Sequence, residues 1–175
     1  MILAASSQTH KHPAYRWAAL TLFAALAGIV TALGFQYIGG MQPCPLCLEQ
    51  RYAYYAGIPV LFAGLVLFGA ARRREAAILF FLVALAFLAN GGLGVYHAGA
   101  EWKFWPGPDT CAASGAPAPA AGGNLLSRLQ NVKVIRCDKA AGRFLGLSFA
   151  GWNVFLSIAL SIGALQAAFS TKENR

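Results

Sequence analysis

The chain has 175 residues, 58% of them hydrophobic and only 11% charged, with a mean hydropathy of +0.54. Soluble domains carry about 25% charged residues, so an ordinary water-soluble fold is excluded and lipid is the expected solvent for much of the chain. The formal net charge of +8 does not argue for a nucleic-acid partner. Lys11, Arg16, Arg72, Arg73, Arg74, Lys172 and Arg175 sit at the ends of apolar runs, as topology signals do.

A membrane helix needs about 20 mostly apolar residues, and four such spans are predicted. The first covers about residues 17–38 without a charge. Its apolar core is too long for a cleaved signal peptide and no polar domain follows it, so it reads as a membrane helix. A short loop at about 39–49 leads to the second span, about 50–71, with Arg51 at its mouth and Pro59 expected to kink it. The tight turn Arg72-Arg73-Arg74 leads to the third span, about 76–96. A long loop at about 97–143 precedes the fourth, about 144–168. The predicted fold class is an all-α, four-transmembrane-helix bundle forming a single domain over 1–175.

Lys and Arg collect on the cytoplasmic side of membrane proteins. The amino terminus, the three-Arg turn and the carboxyl terminus are all basic, and an even number of spans puts them on one side. Both termini are therefore expected in the cytoplasm and both longer loops outside. Lys103, Arg128, Lys133, Arg136, Lys139 and Arg143 in the long loop cut the other way. The turn weighs more because it joins two spans directly. Glycines inside the spans, including Gly28, Gly57, Gly64 and Gly94, read as close-packing positions between helices.

The four cysteines fall as two pairs, Cys44/Cys47 and Cys111/Cys137, all on the predicted outer face, where disulfides persist. The second pair is separated by 25 residues, a poor spacing for zinc, and no metal is expected. The motif that carries chemistry is Gln42-Pro43-Cys44-Pro45-Leu46-Cys47-Leu48-Glu49-Gln50-Arg51. Pro45 holds Cys44 extended and suits the first helical position. Cys47 then lies in the first turn, where free backbone N–H groups and the helix dipole stabilise a thiolate, and Cys-X-X-Cys thiols in such settings exchange readily. Arg51, four residues on, shares the face of Cys47 and could hold the thiolate or the oxygen of a reduced quinone. As an inert staple the pair would be poor, since so short a loop constrains little chain. An ionisable residue at a membrane helix mouth is a functional candidate, though a snorkelling anchor is the plainer reading of Arg51. His97 could hydrogen-bond a quinone carbonyl or relay protons, or be a simple interfacial polar group. Trp102, Phe104 and Trp105 read as headgroup anchors rather than quinone-stacking groups. Leu125, Leu126, Leu129 and Val132 suggest a short amphipathic helix on the outer leaflet, and the Ala/Pro/Gly stretch at 112–123 reads as flexible.

With these motifs in place, the sequence resembles the disulfide bond formation protein B (DsbB) family, quinone reductases of bacterial inner membranes. The resemblance rests on four spans, the C-x-x-C opening the second helix, Arg51 one turn later and His97 at the outer end of the third. It also includes a cysteine pair in the second outer loop and Phe144-Leu145-Gly146-Leu147 opening the last helix. It implies that Cys44 and Cys47 form the pair oxidised by quinone, ubiquinone or menaquinone, with Cys47 nearer the ring. Cys111 and Cys137 would exchange with a periplasmic thioredoxin-fold oxidase of the DsbA kind. In that relay the partner attacks Cys111, Cys137 is freed to pair with Cys44, and Cys47 is left as a thiolate beside the quinone. Arg51 and His97 match quinone-site positions. Departures are the Pro-Leu interior of the C-x-x-C, Gln50 where an acidic residue is familiar, and the small residues of 112–123.

A DsbA-like partner has a potential near about −120 mV, and each 30 mV of mismatch costs about 1.4 kcal/mol for two electrons. Two coupled pairs let quinone reduction pull an unfavourable first exchange. Rival readings are a membrane thiol reductase relay, which would need cytoplasmic cysteines, and a vitamin K epoxide reductase-like enzyme, whose C-x-x-C comes late in the bundle. A non-enzymatic scaffold stapled by disulfides is the third.

Overall fold

The computed structural model describes residues 11–107, 137–140 and 142–173. Cys111, the stretch 112–123 and the expected amphipathic segment 125–132 lie outside the described residues. Four long helices dominate: α1 (Pro13–Tyr37), α2 (Pro45–Gly69), α3 (Arg73–Glu101) and α4 (Phe149–Glu173), with a two-stranded hairpin, β1 (Arg143–Phe144) and β2 (Leu147–Ser148), just before α4. Each helix is long and apolar enough to cross a membrane, which bears out the four-helix expectation. Consecutive helices pack side by side, α3 most extensively on α4, and α1 closes the ring against α4.

The helices are apolar on all sides, and their outer faces say why. Leu20, Phe23 and Val30 on α1, Phe62 on α2, Leu88 on α3 and Phe155 and Ile162 on α4 are all exposed. In water such a girdle would be an aggregation surface; in hydrocarbon it is the solvated face. The interior is narrow and built from small residues, with Ala18, Ala25, Ala84, Ala164 and Ala167 buried. Lipid tails give helices no hydrophobic reason to associate, so close van der Waals fit supplies the cohesion. At the α2–α3 contact, a Cβ on Gly64 would stand 2.5 Å from Phe80 Cε1, and one on Gly57 3.0 Å from Phe87 Cε2. Both rings are fully buried, so neither can swing away freely. Gly64→Val is expected to cost about 1–3 kcal/mol through overpacking. The check is the thermal unfolding midpoint in detergent; an unchanged midpoint would show that the contact yields.

Buried polar groups inside the spans are paired across helices. Asn90 Nδ2 donates to Ser157 Oγ at 2.9 Å and Ser161 Oγ donates to the Ala84 carbonyl at 2.9 Å, joining α3 to α4. At the end carrying the Arg72-Arg73-Arg74 turn, His12 caps α1 by accepting from the Ala14 N–H at 3.2 Å. Burial and then Arg73 hold its imidazole below the ordinary range, which keeps the ring neutral and able to accept. His12 packs at a tilt against Phe68 at 5.0 Å and Arg73 lies 4.7 Å over the same ring, tying three helix ends together.

Helix α2 begins at Pro45 with Cys44 as its N-cap, as the proline at the first helical position predicts. Two expected boundaries need correction, and the differences matter for the site. Helix α3 continues to Glu101, because Ala98, Gly99 and Ala100 do not interrupt it; His97 therefore sits on a helix, not at the start of the long loop. Residues 144–147 do not open α4. They form the hairpin, in which Arg143 pairs with Ser148 and Phe144 with Leu147. Its two central residues have positive φ, Leu145 at 51° and Gly146 at 83°, as a type I′ turn requires. Ser148 Oγ then caps α4 by accepting from the Gly151 N–H at 3.2 Å.

Candidate redox site

At the end of the bundle opposite the three-Arg turn, the chain enters α2 through Cys44 in an extended conformation, with Pro45 at the first helical position. Cys44 Sγ accepts from the Cys47 N–H at 3.2 Å, so the cysteine performs the capping that Ser or Asp usually provides. The one-turn geometry brings the two sulfurs to 2.7 Å from each other, and both are free thiols in this structure.

The two sulfurs face different surroundings. Cys44 is buried in a small cluster with Leu46 and Cys137. Its thiol is pushed up, first by the hydrogen bond it donates to Cys47 and then by burial, so the reduced pair keeps its proton on Cys44. Cys47 instead lines a cavity of about 640 Å³ bounded by α1, α2 and α4. Cys137 is 1% exposed and disulfide-bonded. The Lys103–Asp138 ion pair at 2.6 Å fixes the residue next to it against the segment leaving α3.

The cavity walls are mainly apolar, from Ala24, Ile29, Phe35, Phe149, Trp152 and Leu156, with Arg51, Gln36, Tyr54, His97 and Asn153 as polar points. Arg51 Nη1 donates to Gln36 Oε1 in a short hydrogen bond, which aims the guanidinium across the gap between α2 and α1. His97 is 2% exposed. Its Nε2 lies 3.5 Å from Cys44 Sγ, and Gln50 Nε2 meets its Nδ1 at 2.8 Å. Gln50 in turn accepts from Asn153 Nδ2 at 2.6 Å, and Asn153 Oδ1 accepts from Tyr54 OH at 2.7 Å.

Of the residues expected at the site, Cys47, Arg51 and His97 line one cavity, Cys44 meets Cys47 and His97 behind its wall, and Cys137 joins them through Cys44. Trp102, Phe104 and Trp105 do not line the cavity. Trp105 donates from Nε1 to the Tyr96 carbonyl at 2.8 Å and stacks on the Tyr96 ring at 6.0 Å, in keeping with an anchoring role. The sequence reading missed Gln36, Tyr54, Asn153 and Glu101. The first three are polar groups inside apolar spans, a signal available in the sequence; Glu101 stands one helical turn beyond His97. The ligand atoms of Cys44, Cys47 and His97 lie within 4.8 Å of one another.

The cavity has the size of a small-molecule site, within the usual range of about 300–1,000 Å³, and the expected makeup of apolar walls with few convergent polar groups. A lipid-soluble ring with polar oxygens fits that chemistry, with Arg51 as the obvious donor to an oxygen.

The family model for "Disulfide bond formation protein DsbB" matches residues 14–167. The chain is 32% identical over 156 residues to disulfide bond formation protein B of Aromatoleum aromaticum, covering 83% of this chain and 87% of the relative. It is 29% identical over 168 residues to the protein of that name from Xylella fastidiosa (92% and 94% covered). With the protein of that name from Saccharophagus degradans it shares 30% over 160 residues (86% and 90% covered). No solved structure matches the chain. Four apolar helices, a thiol pair capping the second, and a family match running almost end to end lead to one conclusion: the chain belongs to the DsbB family of membrane disulfide bond formation proteins.

Proposed function

We propose that this protein oxidises a periplasmic dithiol protein of the DsbA kind, with a thioredoxin fold, and passes the two electrons to a membrane quinone, ubiquinone or menaquinone. The observation that carries the reading is the division of the C-x-x-C. One sulfur packs with Cys137, and the other forms part of the wall of an apolar cavity within the bundle. In this reading Cys111 takes the partner's attack and Cys137 exchanges with Cys44. Cys47 is the thiolate facing the acceptor, and Arg51 and His97 lie at the acceptor's site. A quinone bound there supplies a two-electron, two-proton sink. The protein's own part is to hold the Cys47 sulfur at the cavity wall, keep water out with Phe35, Phe149 and Trp152, and present the Arg51 guanidinium to an oxygen. The chain would lie in the bacterial inner membrane, with both termini cytoplasmic and the cysteines outside.

The test is anaerobic mixing of the purified protein with a reduced dithiol protein and different quinones. Stoichiometric quinol formation is expected, with a visible thiolate-to-quinone absorption band. Absence of both under all quinones rejects the reading. Loss of a hydrogen bond from a charged donor costs about 1.5–3 kcal/mol, or roughly one to two decades of affinity. Arg51→Ala should therefore raise the quinone KM by about tenfold to a hundredfold. A quinone titration with unchanged KM would remove Arg51 from the site.

A further inference from the structure

We infer that Glu101 is the group that takes up the Cys44 proton when Cys44 becomes a thiolate, and that His97 donates a hydrogen bond to whichever of the two is anionic. This rests on the functional reading above only for its use in turnover; the proton-sharing itself is a property of the described residues.

The polarity of one buried hydrogen-bond chain supplies the first step. Tyr54 OH donates to Asn153 Oδ1, so Asn153 donates from Nδ2 to Gln50 Oε1. Gln50 is left with its amide N–H groups for His97 Nδ1. An amide nitrogen has only hydrogens to offer, so Nδ1 must accept. The neutral ring therefore carries its hydrogen on Nε2. His97 cannot remove a proton at Nε2 in this tautomer; it can only donate there.

What Nε2–H points at is the second step. Cys44 Sγ lies 3.5 Å away, and Glu101 Oε1 3.7 Å from the same nitrogen. The Glu101 side chain is 5% exposed, and its Oε2 is buried with no hydrogen-bond partner among the described residues. A carboxylate oxygen held out of water without a donor is costly as an anion; binding a proton relieves that cost. The groups facing Glu101 are Cys44 and Cys47 at the start of α2, His97 one turn back on α3, and Arg143 and the Ser148 hydroxyl of the hairpin. Arg143 is exposed, so solvent screens it. Two adjacent buried anions would repel, whereas a single charge shared by one proton does not.

The step moves one proton and no electrons. The S–H bond of Cys44 breaks, an O–H bond forms on Glu101, and the negative charge passes from carboxylate to sulfur. Both groups stand within 3.7 Å of one nitrogen, and the transfer between them runs through a bridging water. The thiolate so formed can then close on Cys47 as the pair's electrons leave. Tyr54, Asn153 and Gln50 are positioning residues, acting through the His97 tautomer.

The test uses full-length protein in which Cys47, Cys111 and Cys137 are serine, leaving Cys44 as the sole thiol. Its alkylation rate is followed against pH. With Glu101 present, moving the proton within the pair leaves total charge unchanged. The rate is expected to be flat across the neutral range. In Glu101→Gln the proton must go to solvent, and the rate should rise about tenfold per pH unit below the thiol pKa. Glu101→Asp, which keeps a carboxyl, should restore a flat segment. Identical slopes in the parent and Glu101→Gln overturn the proposal, as does a flat profile in both. With all cysteines in place, Glu101→Gln is expected to slow quinone-driven closure of the Cys44–Cys47 pair at least about tenfold. If the parent protein leaves quinone untouched, the functional reading fails; the assignment of Glu101 is decided by the alkylation slopes alone.

Discussion

Replacing Cys47 with serine is expected to reduce quinol formation to background. A serine hydroxyl is not ionised at neutral pH and cannot form a disulfide, so both chemical properties of the position vanish while its volume is nearly kept. Cys47 sits one turn into α2, lines the cavity and lies 2.7 Å from Cys44 Sγ, so no other thiol among the described residues can take its place there. Cys44→Ser should abolish turnover as well, yet leave a thiolate at the cavity wall. The visible absorption band on mixing with quinone should survive in that variant and disappear in Cys47→Ser. Continued turnover in Cys47→Ser, followed by loss of quinone absorbance under anaerobic conditions, would end the assignment.

Cys137→Ser carries the other large effect. Cys137 is too buried to meet a soluble protein, at 1% exposure, and it packs in the cluster that holds Cys44. Its expected part is transfer between the outer pair and the inner one. The variant should stop oxidising a dithiol protein altogether, while its chemically reduced Cys44/Cys47 pair is still reoxidised by quinone. When the partner is supplied in its oxidised form, the lone Cys111 thiolate can open its disulfide, and a mixed disulfide should accumulate and be visible on a non-reducing gel. Normal oxidation of the dithiol protein by this variant would refute the transfer role.

What could be read from the sequence was local. Four spans follow from apolar run length, and the C-x-x-C with Arg51 one turn later follows from helix-start chemistry, in which each residue acts on its immediate neighbours. The boundaries that moved were places where local cues conflicted. Apolar Phe144, Leu145 and Leu147 look like the start of a span, but two positive φ values fold them into a turn. Ala98, Gly99 and Ala100 look like a helix ending, yet α3 continues through them, with Trp105 folded back over Gly99. The chain from Tyr54 through Asn153 and Gln50 to His97 could not be read at all. Its links join residues 99, 103 and 47 positions apart, and only packing of α2, α3 and α4 reveals who donates to whom. Glu101 was overlooked for a related reason: one helical turn from His97 means little until both are known to be buried.

In the proposed relay, the capping of α2 by the Cys44 sulfur would link electron flow to secondary structure at this point. Were that sulfur to turn and bond Cys137, the amide of Cys47 would lose its acceptor and the first helical turn would be free to loosen. The sulfur would then belong to a segment that relaxes only while the relay is half-complete, and tightens again on its return.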